Sequence, residues 1–276
     1  NDLTDSSGQM HDAVSNGAPT FVPGLIGPGS VQVSTVVGTS NYNFLSVPYS
    51  PDLAISTTDS FALSFWIQYT NTPDDLPMIG NAIGSTFQRG WVLADKNGKL
   101  AWTLVDTNGS SVLASPAGGP ALNDALWHNV VLSFDGAIGA ADTFIDGAQV
   151  ASRSISGLDT LDTGQPICIG QDPSGTYAVD GTFQMDDLGM WRRPLTYYDA
   201  QAIYILGREY GSSFDSYGPV VLVQTPTASG LQLTWQAGTL LESDTMDGPW
   251  TPVPGATAPV YIVTPGAGDK FYRVKL

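Results

Sequence analysis

The stretch FALSFWIQY (Phe61–Tyr69) alternates from end to end. Phe61, Leu63, Phe65, Ile67 and Tyr69 fall on one face, and Ala62, Ser64, Trp66 and Gln68 fall on the other. Successive side chains of a strand point to opposite faces, whereas a helix would scatter this set around its circumference. The segment therefore reads as a half-buried strand. Such a strand needs hydrogen-bonding neighbours and a second apolar surface to pack against, and the rest of the chain supplies both.

GWVLADKNGKLAWTLVD reads as a hairpin turning through Asp95-Lys96-Asn97-Gly98, where Asn97-Gly98 supplies the positive φ that a tight turn needs. WHNVVLSFD (Trp127–Asp135) and DTFIDGAQVASRSI (Asp142–Ile155) form another pair, with Asp146-Gly147 as the tight turn. PICIG and the opening stretch add two strands. Glycine and proline, 31 and 19 residues, are spread without a repeat, which suits many short strands joined by turns. One segment is helical: Thr196 is its N-cap, Ala202, Ile203 and Leu206 follow helical spacing, and Gly207 is the expected end. Beyond Tyr217-Gly218-Pro219 the strands shorten to VVLVQ, LQLTW, TLLES, VYIVT and KFYRVKL. The expected division is a large β-domain over 1–217 and a small β-module over 218–276, near the lower size limit for independent stability and leaning on its neighbour.

The net charge of −16 excludes nucleic acid and anionic membrane as partners, since phosphate is repelled. No apolar run approaches the roughly 18 residues of a membrane span. The chain does not begin with Met, which reads as a processed or trimmed form. Cys168, the one cysteine, lies among apolar neighbours and reads as a buried hydrophobe. All acids except Glu209 and Glu242 are aspartates, the residue of turns, caps and oxygen-rich cation sites. No nucleophile elbow, zinc-protease helix or phosphate loop is present, so the chain reads as non-catalytic.

FQMDDLGMWRRPLT (Phe183–Thr196) puts Asp186 and Asp187 inside an apolar strand. In regular alternation Asp186 shares a face with Gln184, Leu188 and Met190, and Asp187 shares one with Met185, Gly189 and Trp191. Two unpaired carboxylates about 4 Å apart repel by roughly 4 kcal/mol at an effective dielectric near 20. A cation, Arg192 or Arg193, or a set of loop amides can relieve them. Calcium suits the oxygen donors; zinc does not, because His11, His128 and Cys168 have no ligand spacing.

Together with DSSG (Asp5–Gly8), PTFVPGLIGPGSVQV, VPYSPDL, NDALWHNVVLSFD, FIDGAQV, CIGQD and MDDLGMWRRPLTYYDAQAIY, these pieces resemble the laminin G-like, concanavalin A-like jelly roll of secreted bacterial proteins, over about residues 1–217. The C-terminal piece resembles small β-modules that end such chains. The resemblance implies an all-β fold of two packed antiparallel sheets, an extracellular setting and a binding or adhesion role toward glycans or surfaces. It also implies a structural calcium (Ca2+), with Asp5 brought beside Asp186 and Asp187. Candidate sugar contacts in loops or near strand ends are Phe87, Arg89, Tyr177, Trp191, Tyr197 and Tyr198, while Trp66, Trp102 and Trp127 read as core and His128 as a structural hydrogen-bonder. The family pattern also has a strand before DSSG, where this chain has only Asn1 to Thr4. That motivates a second expectation: a homo-oligomer or extracellular filament built by strand addition between chains.

Overall fold

The computed structural model describes residues 3–36, 41–56, 59–70, 74–83, 89–216, 222–227, 230–235, 238–246, 248–264, 266 and 268–275. The strands run in order β1 (Val14–Asn16), β2 (Thr20–Val22), β3 (Ser30–Val36), β4 (Asn41–Val47), β5 (Phe61–Gln68), β6 (Asp74–Gly80) and β7 (Gly90–Lys96). They continue as β8 (Lys99–Val105), β9 (Ser111–Ala114), β10 (His128–Asp135), β11 (Ala140–Ile145), β12 (Ala148–Ser154), β13 (Ile167–Ile169) and β14 (Gly181–Trp191). Helix α1 (Tyr197–Tyr210) and a short 3-10 turn (Phe214–Ser216) follow. The C-terminal strands are β15 (Val223–Thr227), β16 (Gly230–Thr234), β17 (Thr239–Ser243), β18 (Thr251–Pro252), β19 (Val260–Val263) and β20 (Phe271–Lys275).

One antiparallel ribbon, β12-β11-β10-β5-β14-β3-β4-β13-β6-β7-β8-β9, turns over between β3 and β4 into the two layers of a jelly-roll sandwich. The main core lies between the layers. Phe61 and Phe134 of one layer meet Trp91 and Trp102 of the other at ring-centroid distances of 6.0 and 6.1 Å, and Trp102 Nε1 donates to Thr143 Oγ1 at 3.0 Å. The expected turns are in place: Asn97-Gly98 joins β7 to β8 and Asp146-Gly147 joins β11 to β12, all four residues at positive φ.

Three sequence readings change. The stretch read as a half-buried strand is buried on both faces from Phe61 to Ile67, because α1 covers its outer face and Tyr204 stacks on Trp66 at 5.8 Å. Gly207 does not end the helix. The chain continues to Tyr210, and Gly211, at φ 58°, closes it by donating to Gly207 O. Trp127 is half-buried rather than core, since it stands just ahead of β10, whereas Trp66 and Trp102 are fully buried. The C-terminal strands form two three-stranded sheets, β15-β16-β19 and β18-β17-β20, around a separate small core of Leu233, Trp235, Leu240 and Val253.

Candidate functional site

Strand β14 carries the two adjacent carboxylates, and its register explains them. Asp186 lies opposite Trp66 of β5 and Gly189 lies opposite Ser64, so three steps on β14 answer two on β5. The extra residue is a β-bulge, with Asp187 at φ 48° in the left-handed region. Strict alternation therefore fails at this point. Both carboxylates reach the outer side of the layer, Asp186 toward the loop after β2 and Asp187 toward the turn after α1.

Each carboxylate has donors. Asp186 Oδ2 accepts from the amides of Leu25 and Ile26 at 2.9 and 2.8 Å. A side chain at Gly24 would overlap that oxygen, which is why glycine stands there. Asp187 accepts from Ser213 Oγ and from the Phe214 amide at 3.2 Å. Burial pushes the Asp186 carboxyl up, against the pull of the Ile26 and Leu25 amides. Burial also pushes Asp187 up to about 6, opposed by the bonds from Ser213 and Phe214 and reinforced by the charges of Asp186 and Asp215. Loop amides thus play one of the roles foreseen for them. The arginines are engaged elsewhere: Arg192 with Asp59 at 3.1 Å and Ala54 O at 2.6 Å, and Arg193 with Asp199 at 3.1 Å.

Asp5 organises its own loop. Its carboxylate accepts from Ser7 N, Ser7 Oγ and His11 N, and these bonds outweigh a small burial effect and hold its carboxyl below the ordinary range. The next residue ties this loop to the turn beside Asp187, Ser6 Oγ donating to Asp215 Oδ2 at 2.9 Å. Asp5, Asp186 and Asp187 thus border one cavity of about 730 Å³, together with Trp191. Among the described residues no three His, Cys, Asp or Glu side chains gather into a set that could hold a metal ion.

The aromatic candidates are dispersed. Phe87 lies outside the described residues. Arg89 is exposed at the start of β7, while Tyr177 is pinned at the other end of β6 by its hydroxyl, which donates to Asp75 Oδ2 at 2.5 Å. Trp191 is half-buried, its ring edge-on to Phe214 at 4.8 Å. Tyr197 and Tyr198 do come together, at the start of α1, with ring centroids 5.5 Å apart. They are 43 % and 46 % exposed. Lys275 Nζ sits 4.6 Å over the Tyr198 ring, and Arg193 and Asp199 flank the pair in sequence and structure. The flanking lysine was not foreseen; it comes from the last strand and no local pattern announces it. His128 is structural, held by Asp146 at 2.8 Å and Asp124 at 3.1 Å, and the Asp146 bond raises its pKa.

The laminin G family model described as the concanavalin A-like lectin/glucanases superfamily matches residues 39–201, more than half of the chain. The chain belongs to this superfamily. Among solved structures, this concanavalin A-like chain is similar to the binding domain of Paraclostridial Mosquitocidal Protein 1, with 15 % identity and a TM-score of 0.58 over 99 % of this chain and 70 % of that one. It is also similar to the receptor binding domain of botulinum neurotoxin C/D mosaic serotype, with 19 % identity and a TM-score of 0.57 over 91 % and 65 %. Botulinum neurotoxin type X of Clostridium botulinum is 26 % identical over 133 residues, 46 % of this chain. The chain spans a tenth of the length of that curated relative. No described helix is long and apolar enough to cross a membrane.

Proposed function

We propose that the protein is a non-catalytic extracellular binding module that recognises a neutral glycan or a glycan-bearing receptor. The observation that carries this reading is the exposed Tyr197–Tyr198 pair. An aromatic face framed by an arginine, a lysine and a carboxylate offers stacking for a pyranose ring and hydrogen bonds for its hydroxyls. Lysine covers one face of Tyr198, so Tyr197 is the principal stacking surface. The net charge of −16 disfavours acidic sugars. Superfamily membership supports the reading, as do structural neighbours that carry the name of binding domains. A glycan array tests it. The protein should bind a neutral glycan, and Tyr197→Ala should weaken that binding by about tenfold with the fold intact. Absence of binding across the array, or a variant that binds equally well, would exclude the reading.

Calcium and the domain division belong to this proposal. A calcium ion beside Asp186 and Asp187 would draw on oxygens whose carboxyls burial already strains and which no described cation pairs. A melting temperature that does not move when calcium is restored after chelation rules the ion out. The boundary near 217 makes the sandwich the binding body and the two small sheets a terminal module resting beside α1.

A further inference from the structure

We propose that the free edge of β14 is a strand-acceptor site for an extended, cationic peptide with alternating apolar side chains. This inference goes beyond glycan recognition and concerns a different face of the molecule.

The first observation is the edge itself. β3 pairs with β14 only as far as Val31 opposite Met185, whereas β5 follows β14 to Trp191. Among the described residues no backbone hydrogen bond reaches the second edge of β14 between Leu188 and Trp191. Such a row of main-chain donors and acceptors is a template for another strand.

The second observation is the cavity beside that edge. Leu63 and Met190 line it from the inside of the sandwich, and Trp191 and Phe214 line it from the outside. Residues from both faces of a layer can share one cavity only where the layer stops. A peptide strand laid along β14 would send every second side chain inward against Leu63 and Met190 and the others outward. Main-chain pairing gives affinity in this mode, and the alternate pockets give selectivity.

The third observation names the occupant. Asp5, Asp186, Asp187 and Asp215 border the cavity with no ion pair among the described residues. The nearby cations are committed, His11 to Asp52 and Arg192 to Asp59. Outward-facing lysine or arginine on the incoming strand would meet these carboxylates. A second copy of this chain is disfavoured by a charge of −16 on each. Its alternating strand β20 is also already paired with β17.

The test is binding of a short fluorescein-labelled peptide alternating isoleucine and lysine, followed by fluorescence anisotropy and by hydrogen exchange on the whole protein. The peptide should bind and slow exchange of the amides between Leu188 and Trp191. The same peptide N-methylated at every second residue should bind about tenfold or more weakly, because it loses the main-chain bonds to β14 and keeps the side chains. Replacing its lysines by glutamates should abolish binding. Leu188→Trp and, separately, Val47→Trp narrow the cavity from two walls. Either one, once shown folded by circular dichroism, should weaken binding. Equal binding of the N-methylated peptide would reduce the site to an apolar pocket and overturn the proposal. So would amides from Leu188 to Trp191 that already exchange as slowly as those of β5 in the protein alone, or a concentration-dependent dimer that protects them.

Discussion

Asp187 holds a left-handed backbone and a carboxyl with a pKa near 6, so its ionisation works against the fold. The sign follows from proton binding. Between the ordinary value of 3.8 and about 6 the folded chain holds a proton that the unfolded chain releases, so this group's contribution to stability falls as pH rises through that window. The full shift corresponds to at most about 3 kcal/mol. Asp187→Asn, which keeps the shape and cannot ionise, should flatten the decline and be more stable than the parent above pH 6 by about 1–3 kcal/mol. Urea denaturation on either side of the window measures this; an unchanged slope in the variant would show that another group is responsible. The sequence exposed the problem, two acids in an apolar strand, but not its solution. Strict alternation was the wrong rule here because of the bulge, and Gly189, a glycine inside a strand, was the local signal for it.

Helix α1 shows how an element can be legible at one end and hidden at the other. Thr196 caps it as its sequence suggests, in a reciprocal box with Asp199 that depends only on neighbouring residues. Gly207 was legible only as a helix breaker, because the residue that requires it, Trp66, lies far away in sequence. A side chain there would overlap the Trp66 ring. Gly207→Ala therefore sets two effects against each other: a gain of about 1 kcal/mol in helix propensity and an overpacking cost of about 1–3 kcal/mol. Trp66 is fully buried and cannot yield, so the clash should win. Chemical denaturation should show a net loss of up to about 2 kcal/mol, and a stabilised variant would mean that α1 lifts from the sheet at little cost. The same long-range contact hid the burial of β5's outer face. Alternation marks which residues share a face; it does not say what covers that face.

At the scale of the whole molecule the two cores do not merge. The sandwich core centres on Phe61, Phe65, Trp91 and Trp102, while the C-terminal sheets enclose only Leu233, Trp235, Leu240 and Val253 as buried apolar residues. Contact between them includes Lys275 over Tyr198, a cation–π interaction at the surface worth about 0.5–1 kcal/mol. So weak a link cannot couple two unfolding transitions. A core that small holds little stability of its own, since a short chain buries a smaller fraction of its surface. Calorimetry should therefore show two steps, the C-terminal sheets melting first. Trp235 is buried in those sheets, and Trp66, Trp91 and Trp102 are buried in the sandwich, so fluorescence should also change in two stages. Lys275→Ala should leave both midpoints nearly in place while altering the surroundings of Tyr198. A single cooperative transition would mean that the C-terminal sheets are integral to the sandwich. In that case the aromatic pair at the start of α1 would belong to an interface rather than to an open binding face.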